Sequence, residues 1–174
     1  MIFLSHILSS IFILKVLHYA SPSEFPVNIY SIALSIFFAI LPDVDFFMSD
    51  KLHSHRKTLF HAPLSFIILF LAGFLANYLF DLFPFWILYL FIAQAAFHLI
   101  SDIITARSCG IYVFYPFSEK EYSLFHLEKY YGDFHPMRIA SKEYRRFWKH
   151  YLKNKILLGF ELFVIVAGII SLFA

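Results

Sequence analysis

The feature that most constrains this chain is a pair of long apolar stretches, residues 62–80 and 82–101, which contain no Asp, Glu, Lys or Arg. A helix needs about 20 apolar residues to cross the hydrocarbon core of a bilayer. Only Asp81 separates the two stretches, so they predict a hairpin of membrane-spanning helices that turns at this residue. The composition agrees, because 15% of the residues are charged, against about 25% in soluble domains.

Further apolar stretches extend the hairpin to a bundle. The five stretches cover approximately residues 1–20, 26–42, 60–80, 84–105 and 156–174. They predict an all-α integral membrane bundle of about five transmembrane helices, forming a single domain over residues 1–174. The first stretch contains Lys15 and His18. A cleaved signal peptide is the alternative there, but a retained helix is favoured because no basic segment precedes the apolar run.

The positive charge lies almost entirely in two of the connections. Of the 14 Lys and Arg residues, all but Lys15 lie at 51–57 or 107–155. Five spans would place both connections on one side of the bilayer, and the positive-inside rule makes that side cytoplasmic. We therefore predict a multi-pass protein of the cytoplasmic (inner) membrane with its N-terminus inside.

Residues 106–155 are too polar to enter lipid and predict a cytoplasmic or interfacial segment. Within it, residues 143–155 (EYRRFWKHYLKNK) have the basic and aromatic character of a helix in the headgroup layer, with an ordinary solvated helix as the alternative. Glu161, in the last apolar stretch, is expected within reach of the basic interface at Lys155.

Histidines and acids gather at one depth of this predicted bundle, near its cytoplasmic end. Such residues are costly inside a membrane and usually mark a functional site. His98 and Asp102 are four residues apart and share one face of a helix. The residues that we expect to converge as metal ligands are His6, Asp43, Asp45, His55, His61, His98 and Asp102.

This mixture of imidazole and carboxylate donors suits particular metals. It favours zinc, with manganese or iron as alternatives, over calcium. The number of donors would suit one to three ions, and a pair of metals is a common device for phosphoester hydrolysis. Each pair by itself has a simpler interpretation as a hydrogen bond or a solvated loop. The prediction therefore depends on their common depth.

Five short motifs follow one another in order along the chain. They are Ser5-His6, Leu41 to Asp45 (LPDVD), His55 to His61 (HRKTLFH), His98 to Thr105 (HLISDIIT) and Gly110 to Ser118 with Tyr115-Pro116-Phe117. The series resembles the YdjM-like family of inner-membrane metal-dependent hydrolases, which is distantly related to zinc-dependent phospholipase C. The resemblance covers about residues 5–118 and implies an all-helical fold and a metal-dependent cleavage of phosphodiesters. The chain departs from the family pattern at Phe46, Phe60 and Ala62.

Three functions compete at this point. The leading one is a metal-dependent hydrolase that acts on a phosphoester in a lipid or lipid-linked substrate, with Asp45 as bridging ligand or general base and Arg56 holding a phosphate oxygen. The second is a non-enzymatic binding or regulatory protein with a structural metal or ion network. The third is a transporter, which the confinement of the ionisable residues to one end disfavours. Membrane lipids are the expected partners and no nucleic acid is expected, while the sequence leaves the oligomeric state open.

Overall fold

The protein is described here by a computed structural model that covers residues 3–47, 58–105, 110–124, 148–149 and 152–173. Over this part of the chain the fold is helical, as predicted, and its only β-type pairing is a single bridge between Ile111 and Tyr122. The α-helices are α1 (Phe3–Ala20), α2 (Ile29–Ile40), α3 (Pro63–Phe80), α4 (Trp86–Thr105) and α5 (Lys155–Phe173), and two 3-10 helices cover Leu41–Phe47 and Leu59–His61.

Three of the helices, α3, α4 and α5, are long and apolar enough to cross a membrane. The apolar segments Leu4–Ala20 and Ile29–Val44 are shorter. The hairpin and the last helix are therefore candidate membrane spans, while spans by α1 and α2 stay a prediction.

The hairpin of α3 and α4 turns where the sequence predicts. Pro63 opens α3, a position at which its missing N–H removes no helical hydrogen bond. The helix ends at Asp81, which adopts the left-handed conformation with φ of 47°, one that Asp tolerates better than most residues. The Asn77 carbonyl accepts the Asp81 N–H at 2.8 Å, and the Asn77 side-chain oxygen accepts the Phe83 N–H at 2.9 Å.

Successive helices run in opposite directions. His6 and Ser10 of α1 lie next to Asp43 and Ser35 respectively, so α2 runs antiparallel to α1. Gln94 of α4 also reaches Ser10, while His98 stacks on His6, so α4 is antiparallel to α1 as well. This alternation brings the start of α1, the end of α2, the start of α3 and the end of α4 to one end of the bundle.

The interior between α1, α2 and α4 is polar. The Gln94 side chain donates to the Ser10 carbonyl at 3.0 Å and to the Ser35 hydroxyl at 2.6 Å. The Ser35 hydroxyl also donates to the Ser10 carbonyl, at 2.8 Å. Because few polar competitors exist in lipid, interhelical hydrogen bonds of this kind help to hold membrane helices in register. The three helices are therefore tied together one turn below His98.

Apolar packing occupies the other side of α4 and the outer faces of the bundle. Phe66 of α3 packs with Phe91, Ala95 and Leu99 of α4 and with Ile111. Most other side chains of α3 are exposed, as are many of α5, and they are almost all apolar. Exposed apolar helix faces of this extent fit contact with lipid rather than with water.

The segment after α4 folds back on that helix. Ile111 and Tyr122 exchange two backbone hydrogen bonds of 2.9 Å, and the Leu124 N–H donates to the Ile103 carbonyl at 3.1 Å. Gly110 is required in this pairing, because a Cβ there would lie 2.6 Å from the Tyr122 carbonyl oxygen. The predicted interfacial helix at 143–155 lies largely outside the described residues, although 148–149 and 152–153 are helical.

Glu161 is buried inside the protein, and its predicted reach to the basic interface at Lys155 stays a prediction. Its side chain is 1% exposed and accepts a hydrogen bond from the Ser5 hydroxyl of α1. Farther toward the end of α5, that helix and α1 approach closely, since a Cβ on Gly168 would lie 2.5 Å from the Leu8 carbonyl oxygen. Because α5 packs directly along α1, the carboxyl group of Glu161 points into the protein.

Candidate metal centre

Donor groups from four parts of the chain meet at one end of the bundle. His6 comes from the first turns of α1, and Asp43 from the 3-10 helix that continues α2. His61 ends the short 3-10 helix before α3, while His98 and Asp102 lie on one face of α4. The structure thus brings these five residues together, and their role as metal ligands stays a prediction.

Four of the five donors form a compact set. Single ligand atoms of Asp43, His61, His98 and Asp102 all lie within 4.8 Å of one another. His61 Nε2 is 3.4 Å from Asp43 Oδ1 and 3.6 Å from Asp102 Oδ2. His98 Nε2 is 3.5 Å from Asp43 Oδ1 and 3.8 Å from Asp102 Oδ2. Two imidazoles thus face the same two carboxylates.

These separations fit a shared metal ion better than direct hydrogen bonds. Hydrogen bonds between charged N–H donors and carboxylates are about 2.7–2.9 Å long. A tetrahedral zinc site with ligand bonds of about 2.0–2.2 Å would hold its donor atoms roughly 3.3–3.6 Å apart. The distances of 3.4–3.8 Å between the imidazole nitrogens and the carboxylate oxygens fall in or near that range.

The ring of His98 is oriented by a backbone group of α2. Its Nδ1 lies 2.7 Å from the Ala39 carbonyl oxygen. A carbonyl only accepts, so Nδ1 carries the proton, and in the neutral ring Nε2 then presents a lone pair. Among the described residues, Nε2 has no hydrogen-bond partner. Fixing the tautomer through the opposite ring nitrogen is the usual way in which proteins prepare a histidine for a metal.

His6 lies at the same centre but approaches the second carboxylate oxygen of Asp43. Its ring stacks on His98, with centroids 3.9 Å apart and an angle of 11° between the planes. Its Nε2 is 3.9 Å from Asp43 Oδ2, whereas His61 and His98 approach Oδ1. The two carboxylate oxygens of Asp43 are therefore approached by different imidazoles, Oδ2 by His6 and Oδ1 by His61 and His98.

Exposure distinguishes Asp43 from the other donors. Its side chain is 22% exposed, compared with 0% for His61 and 2% for Asp102. Asp43 thus lies on the accessible side of the cluster.

The other predicted site residues cannot be placed in the cluster. The backbone of Asp45 lies in the 3-10 helix Leu41–Phe47, but its side chain is outside the described part of the structure. His55 and Arg56 also lie outside the described residues. Their suggested roles stay predictions. His18, which was assigned no role in the site, contacts the Phe25 carbonyl oxygen through Nδ1 at 2.7 Å.

Sequence reasoning missed two groups near this centre. The Ala39 carbonyl has no sequence signal, because every residue carries such a group. Glu161 had one, since it is the only acid of its helix, but the sequence did not show that its side chain faces α1.

Comparisons with known proteins agree with the membrane architecture. No curated protein and no solved structure matches the chain significantly. A family model does match, over residues 1–173, and that family is described as the YdjM inner membrane protein. The match covers all the helices described above and all the donors of the candidate metal centre. The chain therefore belongs to the YdjM inner membrane protein family.

Proposed function

We propose that this protein is a membrane-bound, metal-dependent hydrolase that cleaves a phosphoester bond in a lipid or lipid-linked substrate. The observation that carries the proposal is the cluster of Asp43, His61, His98 and Asp102, whose ligand atoms lie within 4.8 Å of one another. Three of these side chains are almost completely buried in a membrane protein. Keeping such groups in lipid is costly, which favours a functional reason for them.

The residues present fit a divalent metal ion. Asp43, His61, His98 and Asp102 would hold it, with zinc favoured and manganese or iron as alternatives. A metal bound there would act as a Lewis acid and lower the pKa of a water molecule to about 7. His6, on the second oxygen of Asp43, provides a donor for a further ion.

The protein's own groups would orient the reaction. Ala39 holds His98 in one tautomer, so the lone pair of Nε2 points toward the carboxylates. Asp43 provides the accessible edge at which a phosphoester approaches. We assign Asp45 as bridging ligand or general base. The Arg56 guanidinium would bind a phosphate oxygen through its fork of donors.

A substrate in the lipid phase fits the position of the cluster. His6 lies three residues into α1 and His98 seven residues before the end of α4. At 1.5 Å per residue, these positions are about 5 and 10 Å from the helix ends, which is near the headgroup layer of a bilayer. The predicted orientation makes this the cytoplasmic side, where the basic segment 119–155 would attract anionic lipids.

A structural metal site in a non-enzymatic binding or regulatory protein is the second candidate. Four protein donors are enough to saturate zinc, and saturated sites are usually structural. The partial exposure of Asp43 argues for an accessible centre instead. The two candidates differ in whether the metal-loaded protein hydrolyses anything.

The test is to measure metal content and hydrolysis on the same purified protein. We expect at least one zinc ion per chain by elemental mass spectrometry. We also expect phosphoester cleavage in vesicles that contain phosphatidic acid or phosphatidylglycerol. Asp102→Asn keeps the size of the side chain but loses the charge, and should lose both metal and activity. His18→Gln is the matched control, because His18 is a histidine of α1 outside the cluster, and it should keep both.

Two results would count against the proposal. Wild-type protein without bound metal after zinc loading would contradict the metal centre. Stoichiometric zinc without hydrolysis of either lipid would favour the structural metal site of the second candidate.

A further inference from the structure

Glu161 is a buried ionisable residue that the proposed hydrolysis does not use. It lies within α5, one of the helices long enough to span a membrane, and its side chain is 1% exposed. Its carboxyl group accepts a hydrogen bond from the hydroxyl of Ser5. Ser5 directly precedes His6, the histidine that stacks on His98. A costly buried carboxyl group therefore contacts the residue next to a candidate ligand.

Different faces of α1 contact α5 and the metal centre. Ser5 and Leu8 face α5, where they meet Glu161 and Gly168. His6 faces Asp43 and His98. Successive residues of an α-helix differ by about 100° around its axis, so the contact with α5 and the direction of His6 are set by a single rotation of α1.

We propose that Glu161 is a positioning residue for the metal centre, which acts through Ser5 to fix the rotation of α1 that directs His6 toward Asp43. The inference rests on the proposed function only through the membership of His6 in the centre. The hydrogen bond of Glu161 that carries the inference is made with Ser5, a residue outside the four-donor set.

The geometry makes His6 sensitive to this rotation. Side chains extend to about 5–6 Å from a helix axis, so a rotation of 30° would move the imidazole by about 3 Å. The separation between His6 Nε2 and Asp43 Oδ2 is now 3.9 Å. A displacement of that size would remove His6 from any ion shared with Asp43, while His61, His98 and Asp102 would keep their mutual contacts.

Metal-free protein provides a direct measurement of the position of His6. Diethyl pyrocarbonate modifies accessible imidazoles, and peptide mass spectrometry gives the rate at each histidine separately. In the wild type His6 and His98 are both 1% exposed and should react slowly. Glu161→Leu removes the hydrogen-bond acceptor and should raise the rate at His6 about tenfold. His61, a 0%-exposed histidine outside α1, should stay slow.

Conservative variants separate positioning from general stability. Glu161→Gln keeps a carbonyl oxygen that accepts from Ser5 and should react like the wild type. Ser5→Ala should reproduce the effect of Glu161→Leu. In the double variant Ser5→Ala with Glu161→Leu the two effects should not add fully, because both changes remove the same hydrogen bond.

Several outcomes would overturn the inference. An unchanged rate at His6 in Glu161→Leu would show that the hydrogen bond does not control the rotation. A parallel rise at His6 and His61 would show a general loosening. Failure of Glu161→Gln to restore protection would exclude the role of the accepted hydrogen bond. Because all rates are measured without metal, none of these outcomes depends on whether the protein is a hydrolase.

Cobalt binding gives a second readout. The visible spectrum of Co²⁺ reports the number and geometry of its ligands. Spectra of Glu161→Leu and Ser5→Ala should shift in the same way as that of His6→Ala, while Glu161→Gln keeps the wild-type spectrum. If His6→Ala shifts the spectrum and Glu161→Leu does not, Glu161 does not position His6. If His6→Ala itself leaves the spectrum unchanged, His6 is not a ligand and the inference is wrong.

Discussion

Substitution of His98 provides the sharpest test of the metal centre, because the two nitrogens of its ring have separable roles. Nδ1 contacts the Ala39 carbonyl oxygen at 2.7 Å, and Nε2 faces Asp43 and Asp102. His98→Asn places an amide N–H near the position of Nδ1 but has no group at the position of Nε2. His98→Ala removes both. The first variant should therefore lose the metal alone, and the second should also lose the contact with α2.

The size of each loss follows from the donor set. Structural zinc sites with four ligands bind with about 10–16 kcal/mol. One ligand of four is then worth about 2.5–4 kcal/mol, which weakens zinc binding about 10²- to 10³-fold in either variant. In His98→Ala the Ala39 carbonyl also loses its partner, and a buried unsatisfied group costs about 1–3 kcal/mol. For a chain of this length that corresponds to a melting temperature several degrees lower.

Both losses can be measured on purified protein in detergent. Competition with a chromophoric chelator gives the zinc dissociation constant, and thermal unfolding of the metal-free protein gives the stability. We expect the two variants to share the weakened affinity, with a lower melting temperature only for His98→Ala. Zinc binding by His98→Asn within about threefold of the wild type would refute the assignment of Nε2 as a ligand. Equal melting temperatures would refute the structural role of the Ala39 contact.

Three further predictions concern metal removal, packing and orientation. Removal of zinc with a chelator should lower the melting temperature of the wild type, since a ligand at 1,000 times its Kd stabilises by about 4 kcal/mol; no change would contradict a native metal. Gly168→Ala should destabilise the protein, because the new Cβ would lie 2.5 Å from the Leu8 carbonyl oxygen, whereas Gly159→Ala meets nothing within 4 Å and should be neutral or stabilising. In intact cells Cys109 should react with a membrane-permeant maleimide but not with an impermeant one. Leu82→Cys in a Cys109→Ser background should react with both reagents. The opposite pattern would reverse the predicted orientation.

The polar interior gives the site a rigid frame. Gln94 lies one helical turn from His98 and joins α4 to Ser10 of α1 and Ser35 of α2. The same three helices position donors of the centre: α1 carries His6, α2 continues into the 3-10 helix of Asp43, and α4 carries His98. Metal sites require their donors within small tolerances. A hydrogen-bonded layer directly below the centre therefore fixes the helices whose relative positions determine its geometry.

Much of this arrangement was predictable from the sequence, because a membrane restricts the possibilities. Long uncharged stretches predict helices, and Asp81 marks the turn between α3 and α4. Once helices alternate in direction, residues near corresponding ends must share a depth. That reasoning placed His6, His61 and His98 in one layer before any contact was known, and the stacking of His6 on His98 agrees with it.

Only the tertiary structure decided how the helices are rotated about their axes. A helix in lipid is apolar on nearly every face, so the spacing of its residues does not show which side meets a neighbour. For this reason the sequence did not show that Glu161 faces α1, where packing buries it beside Ser5. The Ala39 carbonyl that orients His98 and the two separately contacted oxygens of Asp43 depend on the same rotations. The sequence determined the depth of each donor, and helix packing determined the direction in which it points.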